Sequence, residues 1–192
     1  MSDKENKKRK AAVTIRDMDI DDISPVYHLG EKLFTSEGFP ILYRTWDPYD
    51  IANHYSTDSG YCMVAETEER IVGFILATTI EKEGTAWKKY GYISWIGVDK
   101  AYHRTNVGLR LYKRLEDKYR EDGVRMVIAD TQTDNKGAIG FFKTMGFSIS
   151  GHNIWLTKTL LRQANRMTTP EHILLNHDNK QIQMKHINIK KD

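Results

Sequence analysis

The 192-residue sequence is poor in the features that mark secreted and membrane-bound proteins. It has one cysteine, Cys62, so an intramolecular disulfide is excluded, as is usual for proteins of the reducing cytoplasm. No apolar run reaches the length that spans a bilayer, and the N-terminus lacks the apolar core of a signal peptide. The formal net charge of +3 is too small to require a polyanionic partner. These deficits predict a soluble cytoplasmic protein without a membrane partner, and they argue against a nucleic-acid partner.

The chain is long enough for one domain with a substantial core, and its two ends differ from its middle. Residues 1–11 are charged without apolar periodicity, so they are predicted to be a disordered arm, whose basic cluster 7–10 fits a solvated tail. Residues 12–160 are the predicted folded domain, and 161–192 are an extension of unknown role. No metal is expected, because the histidines of that extension match no metal motif: His172, His177 and His186. Composition does not separate a monomer from a homodimer.

Apolar periodicity predicts an alternation of strands and helices in the folded domain. The strands are expected at 13–16, 61–65, 71–79, 90–98, 124–129 and 147–156. The helices are expected at 19–34, 50–55, 107–122 and 138–145. The strand at 124–129 has the composition of a buried strand, and its connection to the preceding strand through a helix requires a parallel pair. The prediction is therefore an α/β fold, a mixed sheet with helices on both faces.

The segment Val98–Leu111 reads as the end of a strand, a short polar turn and the start of an amphipathic helix. Such a turn leaves several backbone N–H groups unpaired. Together with the positive end of the helix dipole, these form an anion site that suits a pyrophosphate. Asn106, within the turn, is the residue type besides glycine that best tolerates left-handed backbone angles. The other interpretation is a plain strand-to-helix turn.

A second motif follows at Asn135–Phe147, and the two motifs together resemble the GNAT acetyltransferase superfamily over about residues 13–158. The family's first motif, Gln/Arg-x-x-Gly-x-Gly/Ala, corresponds to His103–Gly108, where only the final glycine matches strictly. The second, Asn-x-x-Ala-x-x-Phe-Tyr-x-x-x-Gly-Phe, is matched at Asn135, Ala138, Phe141, Gly146 and Phe147. Within the superfamily, the resemblance is to the branch of protein N-terminal and alanine acetyltransferases.

The resemblance implies a central mixed sheet with helices on both faces and an enzyme that transfers acetyl from acetyl-CoA to an amine. Transfer would be direct, within a ternary complex and without a metal. The acceptor is expected to be a protein or peptide amine, with a small polyamine-type amine next. The alternative is an acyl-CoA-binding sensor with reduced or no catalysis. The residues assigned to acetyl-CoA are Ile96, Gly97, Val98, His103, Arg104, Thr105, Asn106, Val107, Gly108, Leu109, Asn135, Ala138, Phe141 and Phe142.

The catalytic candidates are Asp130, Tyr92 and Ser94, on or after the two strands of the predicted parallel pair. Asp130 is either a general base, provided that partial burial makes it more basic, or a structural carboxylate. Tyr92 and Ser94 are the other candidates, acting directly or through water. In many family members a tyrosine hydroxyl protonates the departing thiolate, and Phe142 stands at that position here.

Two further expectations concern acetyl-CoA. The backbone N–H of Gly97 or Val98 is expected to polarise the thioester carbonyl. The side chains of His103, Arg104 and Arg110 are expected to add positive charge near the phosphates.

The loop between the first two helices is aromatic, and in the family this loop contributes to acceptor recognition. Phe39, Tyr43, Trp46 and Tyr49 form either a folded-in core loop or a substrate wall. Cys62 lies in a predicted strand far from both motifs, so it is expected in the core and not as a nucleophile.

Overall fold

The computed structural model describes residues 12–35 and 46–152, and within them a five-stranded sheet lies in chain order, β1 to β5. The strands are β1 Thr14–Asp17, β2 Cys62–Glu66, β3 Ile71–Glu81, β4 Lys89–Val98 and β5 Met126–Ala129. The helices are α1 Ile23–Leu33, α2 Pro48–Asp58, α3 Val107–Glu121 and α4 Lys136–Thr144. Three short 3₁₀ turns, Ile20–Asp22, Ser59–Tyr61 and Lys100–Tyr102, join them. Neighbouring strands are antiparallel except β4 and β5, which are parallel, so the predicted mixed sheet is confirmed.

The chain divides into two units after Ser148, and the fold described here is that of the first unit. Of the second unit, only residues 149–152 are described, and they have no regular secondary structure. The predicted arm 1–11 and extension 161–192 lie outside the described residues. No helix of the described ranges is long and apolar enough to span a membrane.

The crossover between the parallel strands is made by α3, whose apolar residues recur every three or four positions. Val107, Leu111, Leu115 and Tyr119 are all buried on one side of this helix. The helix ends before Gly123, whose φ of +76° suits a residue without a side chain. Burial of this stripe fixes α3 against β2, β3 and β4 and so positions the start of the helix beside the end of β4.

The sheet is buried on both faces, so it has two apolar cores. The α3-side core includes Met63, Ala65, Val72, Ile75, Ile93, Leu111, Leu115 and Tyr119. The α1/α2-side core includes Val26, Leu29, Trp46, Ile51, Cys62, Val64, Phe74 and Leu76. Alternation along β2 and β3 explains this division, because successive side chains of a strand point to opposite faces.

Strand β4 carries a bulge at Ser94. Leu76 of β3 is paired with Trp95 and Ala77 with Ile93, so Ser94 has no pairing partner on β3. The extra residue reverses the alternation, and as a result Trp95 packs against the α1/α2-side core and Ile96 against the α3-side core.

The pairing of β4 with β5 also ends at this level. Its last register pair is Ile93 with Ala129, although β4 continues to Val98. Within the described residues, the edge of β4 from Ser94 to Val98 therefore faces an opening beside β5.

Two predictions about strands are corrected. The strand expected at 124–129 is shorter and half open, with Met126 and Ile128 exposed by 37% and 41%. Only Val127 and Ala129 pack against the α3-side core, because α1 and α2 lie chiefly over β2, β3 and β4. The strand expected at 147–156 is absent from its described part, 147–152, and the remainder lies outside the described residues.

Candidate active site

The turn between β4 and α3 is held by its own backbone and by Asp99. The Asp99 carboxylate accepts the N–H of Ala101 at 2.8 Å, and the Asp99 carbonyl accepts the N–H of Tyr102 at 2.8 Å. Arg104 and Asn106 both have left-handed backbones, with φ of +61° and +62°. The expectation for Asn106 is confirmed, whereas nothing in the sequence indicated Arg104. Such conformations cost non-glycine residues about 1–3 kcal/mol each and are concentrated at functional sites.

The first turn of α3 points its N–H groups out of the helix end. The first bond of the helical pattern is donated by the Arg110 N–H to the Asn106 carbonyl, at 2.9 Å. The N–H groups of Val107, Gly108 and Leu109 precede that pattern, and the Asn106 side chain does not cap them. The helix dipole adds about half a positive charge at the same end. This arrangement suits an anion.

A cavity of about 720 Å³ opens at this helix end. Its wall is built by the end of β4, the turn, the first residues of α3 and one side of α4. Of the residues assigned to acetyl-CoA from the sequence, all but Thr105 and Asn135 line it. The lining consists of Ile96, Gly97, Val98, Tyr102, His103, Arg104, Asn106, Val107, Gly108, Leu109, Gly137, Ala138, Phe141, Phe142, Thr144 and Met145.

Sequence reasoning missed four of these lining residues: Tyr102, Gly137, Thr144 and Met145. The helical spacing of the second motif contained the signal for the last two. Thr144 and Met145 lie three and four positions after Phe141, so at the end of α4 they fall on the same side as the Phe141 ring.

Gly108 allows α3 and α4 to approach closely across the cavity wall. A Cβ at this position would lie 3.2 Å from Cε2 and 3.6 Å from Cζ of Phe141, and 3.7 Å from Cγ2 of Val98. The close approach of α3 to Phe141 therefore depends on the absence of a side chain at Gly108.

Two predicted ligands have local structural roles. The Thr105 hydroxyl donates to the Tyr102 carbonyl at 2.5 Å. Oδ1 of Asn135 accepts the N–H of Ala138 at 3.0 Å and caps α4. Both residues therefore shape the segments that line the cavity.

Of the basic side chains around the start of α3, two face the cavity and one faces β1. His103 and Arg104 line the cavity, and Nε2 of His103 lies 3.0 Å from the Val98 carbonyl. The prediction that Arg110 adds charge to the phosphate site is corrected. Its guanidinium donates to the Val13 carbonyl at 2.9 Å, because its position on α3 faces β1.

The catalytic candidates lie around the end of the parallel pairing. Tyr92 of β4 donates its hydroxyl hydrogen to the carboxylate of Asp130, which follows β5. Ser94 is the bulge residue. Asp130 is exposed, so the partial burial on which its role as a base depended is not found.

Tyr92 lies on the face of the sheet away from α3. Its neighbours Gly91 and Ile93 face α3, since a Cβ on Gly91 would meet the Tyr119 ring and Ile93 belongs to the α3-side core. Alternation then directs Tyr92 to the α1/α2 face. The cavity at the α3 terminus and the pair of Tyr92 with Asp130 are thus reached from different sides of β4.

A second polar group on that face was missed by sequence reasoning. Nε1 of Trp95 donates to Oδ2 of Asp50 on α2 at 2.5 Å. Nε2 of His54, one turn further along α2, lies 3.9 Å from Oδ1 of Asp50. The only sequence signal was the spacing of polar residues along α2, which a solvated helix face shows equally well.

The aromatic loop divides into a core residue and an exposed one. Trp46 is buried, donates its indole N–H to the Tyr27 carbonyl at 2.9 Å, and lies so close to Gly30 that a Cβ there would be 2.0 Å from the ring. Tyr49 is 83% exposed. Phe39 and Tyr43 lie outside the described residues. Trp46 therefore belongs to the core and not to a substrate wall.

Cys62 is buried in the α1/α2-side core. Burial raises the pKa of its thiol to about 12, so the thiolate required of a nucleophile is disfavoured. The described ranges also contain no group of three or more His, Cys, Asp or Glu side chains arranged to hold a metal.

Comparison with known proteins gives one family. Residues 26–147 match the model of the acetyltransferase (GNAT) family. N-acetyltransferase 8 of Homo sapiens is 29% identical over 138 residues, which cover 64% of this chain and 60% of that protein. N-alpha-acetyltransferase 30 of Schizosaccharomyces pombe is 24% identical over 87 residues, which cover 45% and 57%. The chain thus spans under two thirds of the length of these relatives. The structure of Ard1 from Thermoplasma volcanium is 26% identical, with a TM-score of 0.60 over 73% of this chain and 85% of that one.

Proposed function

The chain belongs to the acetyltransferase (GNAT) family, and on that premise we propose that it transfers an acetyl group from acetyl-CoA to an amine. The observation that carries the proposal is the cavity at the N-terminus of α3. The cavity combines backbone N–H groups that point outward from α3 with the part of β4 that lies beyond its pairing with β5. For a member of this family, the ligand that fits both features is acetyl-CoA.

The residues of the cavity fit acetyl-CoA by their chemistry. The N–H groups of Val107, Gly108 and Leu109 suit the pyrophosphate. The apolar wall from Phe141, Phe142 and other lining residues suits the pantetheine arm, and the backbone of β4 at Ile96 and Gly97, beyond its pairing with β5, is proposed to bond the amides of that arm. Bound there, acetyl-CoA supplies a thioester as the acetyl donor.

The end of β4 is proposed to act on the thioester carbonyl. A backbone N–H of Gly97 or Val98 would donate to that oxygen and stabilise the charge that develops on it. Phe142 has no hydroxyl to protonate the leaving sulfur. A thiol with an ordinary pKa of about 8.5 forms an adequate leaving group near neutral pH, so transfer does not require that hydroxyl.

Tyr92 and Asp130 are proposed to handle the acceptor on the other face. An exposed carboxylate attracts an ammonium group, and the hydrogen bond from Tyr92 fixes the direction of that carboxylate. We assign Asp130 to holding the acceptor amine, because its exposure does not support its role as a base. Ser94, at the bulge, is proposed to lie beside the reacting groups.

The proposed acceptor is a protein or peptide α-amino group, with a polyamine-type amine next. Removing a proton at pH 7 costs about 1 kcal/mol for an α-amino group and about 4–5 kcal/mol for a lysine side chain. A relative named N-alpha-acetyltransferase 30 supports the same choice. A cytoplasmic location, and a monomeric or homodimeric state, stay predictions from the sequence.

The test combines calorimetric titration of the full chain with acetyl-CoA and a thiol-release assay. The acceptors are peptides with free N-termini, N-terminally blocked peptides that carry lysine, and spermidine. Thiol release with the free N-termini alone is the expected result. Release with the blocked peptides or spermidine alone would contradict the proposed acceptor, and absence of acetyl-CoA binding would contradict the proposed function.

Asp130→Asn should raise the KM for the acceptor about tenfold, the loss expected when a hydrogen-bonded charge pair of about 1.5 kcal/mol is removed, with acetyl-CoA affinity unchanged. Asp117→Asn, on the exposed side of α3, is the matched control. An equal loss of acetyl-CoA affinity in Asp130→Asn would make Asp130 a structural residue.

The second candidate function is an acyl-CoA sensor with reduced or no catalysis. Phe142 favours this candidate, because its side chain lines the cavity but has no hydroxyl to protonate the departing thiolate. Micromolar acetyl-CoA binding with no thiol release for any of the three acceptor classes would select it.

A further inference from the structure

Helix α2 carries a polar stripe made of Asp50, His54 and Asp58, spaced four residues apart on one side of the helix. Both ends of the stripe are anchored to the sheet. Asp50 accepts the indole N–H of Trp95 on β4 at 2.5 Å. Asp58 accepts the hydroxyl of Thr78 and, at 3.1 Å, the N–H of Thr79, both on β3.

These anchors fix the position of His54 along β4. Thr78 is paired with Tyr92, so the stripe runs from the level of Trp95 to the level of Tyr92. Along β3 these two levels are separated by two residues, from Leu76 to Thr78. His54 is midway between Asp50 and Asp58 on α2, so it lies between the level of Trp95 and the level of Tyr92, as Ser94 does.

This level is where the two strands of the parallel pair separate. The last pair of β4 with β5 is at Ile93, next to the bulge. Tyr92 faces the same side of the sheet as α2 and holds Asp130 there. His54 retains 14% side-chain exposure, so it is largely but not completely buried.

We propose that His54, paired with Asp50, accepts the proton that the acceptor amine must lose. The inference rests on the proposed function. Imidazole is the side chain that most readily exchanges a proton near neutral pH. Asp50 stabilises the protonated ring, and the indole of Trp95 holds the other oxygen of Asp50 in place.

The proposed transfer conserves protons and electrons. The acceptor arrives as an ammonium ion, and one of its protons passes to His54. The nitrogen lone pair then forms the C–N bond to the acetyl carbon while the C–S bond breaks and its electron pair leaves with sulfur. A second proton from nitrogen ends on the thiolate as the CoA thiol, and His54 returns its proton to water. The net reaction releases one proton.

The experiment compares His54→Gln and His54→Asn with wild type, using acetyl-CoA and the free N-terminal peptides of the thiol-release assay. His28→Gln is the matched control, since His28 is an exposed histidine that pairs with Glu31 on α1. Loss of a general base predicts a fall in kcat of about 10²-fold, with the KM for peptide and the affinity for acetyl-CoA within about threefold of wild type.

The pH profile separates a proton acceptor from a structural residue. In both His54 variants the acidic limb of kcat/KM should shift to the pKa of the acceptor's α-amino group, whereas His28→Gln should keep the limb of wild type. The other titratable groups that contacts place on this face are Asp50 and Asp58 on α2, Tyr92 on β4 and Asp130 after β5. Asp130→Asn should therefore keep the limb while raising the KM for peptide.

Each outcome decides between the two proposals. A wild-type chain that binds acetyl-CoA but transfers nothing would overturn the proposed function and His54 with it. Normal transfer by wild type and an unchanged acidic limb in both His54 variants would overturn only the role of His54. Loss of acetyl-CoA binding in both variants would make His54 structural and would also overturn it.

Discussion

Replacing Gly108 by aspartate tests directly whether the cavity binds the pyrophosphate of CoA. Gly108 is the second residue of α3, and a Cβ added there lies 3.2 Å from the Phe141 ring, against the cavity wall. Asparagine has nearly the same size as aspartate but no charge, so Gly108→Asn is the matched control. Both side chains displace the Phe141 ring by a few tenths of an ångström. Only aspartate adds a negative charge.

The expected difference between the two variants follows from Coulomb's law. A carboxylate about 5 Å from one phosphate charge, at an effective dielectric constant of 20–80, is repelled by about 1–3 kcal/mol. The dissociation constant of CoA should therefore be ~5- to 150-fold larger for Gly108→Asp than for Gly108→Asn. The difference should shrink as salt is raised, because the site is open to solvent on one side.

Calorimetric titration with CoA at low and high ionic strength measures this difference, and thermal unfolding gives the control for stability. A carboxylate in the first turn of a helix is favoured by the dipole by about 0.3–1 kcal/mol. The Tm of Gly108→Asp should then be no lower than that of Gly108→Asn. Equal CoA affinities for the two variants would refute the placement of the pyrophosphate. Unchanged affinity in both would refute the cavity as the CoA site.

Three further predictions concern single side chains. The Arg16 guanidinium donates to the buried Asp22 carboxylate at 2.5 and 2.9 Å and holds the pKa of that carboxyl below its ordinary value. The stabilisation from this pair is therefore complete above the unfolded-state pKa of about 4, and it is lost as the pH falls through the lower folded-state pKa. Asp22→Asn should lower the free energy of unfolding at pH 7 by about 1–3 kcal/mol and flatten its dependence on pH below 4, as measured by urea unfolding; an unchanged acid slope would contradict this. Cys62 should resist iodoacetamide at pH 8 until the chain is unfolded, as followed by mass spectrometry, and Cys62→Ala should keep thiol release; loss of release with the fold intact would restore Cys62 as a nucleophile. Phe142→Tyr should raise kcat by up to about tenfold without changing the affinity for acetyl-CoA, and an unchanged kcat would mean that a hydroxyl at this position does not reach the sulfur.

The elements that the sequence predicted well are those with strong local patterns. The stripe on α3 from Val107 to Tyr119 combines the helical period with a glycine stop, and it required the crossover that makes β4 and β5 parallel. The left-handed turn at Asn106 followed from the tolerance of that residue type. Most of the cavity lining followed from the two motifs, since each motif is a contiguous stretch whose backbone forms the wall.

The features that the sequence did not predict depend on distant partners. Arg110 is a residue type that commonly binds phosphate, but its guanidinium points to the Val13 carbonyl because β1 lies close to α3. Strand β5 consists of apolar residues, although only one of its faces packs against a core. The sequence pattern alone does not tell whether a helix covers the opposite face. The sequence of α2 does not indicate a role for His54. Its position relative to Ser94 depends on the register of β3 with β4, which fixes where α2 lies along the sheet.

The bulge at Ser94 separates the side chains of β4 between the two sides that are proposed for the two substrates. Under strict alternation Ile93 and Trp95 would share the α3 face, and Trp95 could not hold Asp50 of α2. The inserted residue turns Trp95 to the α1/α2 face while Ile96 and Val98 line the cavity at α3. One strand then presents the proposed acceptor face and the proposed cofactor edge within a few residues of each other. A cofactor bound along one side and an amine held on the other would meet where β4 leaves β5, and the chain needs only this local irregularity to bring them together.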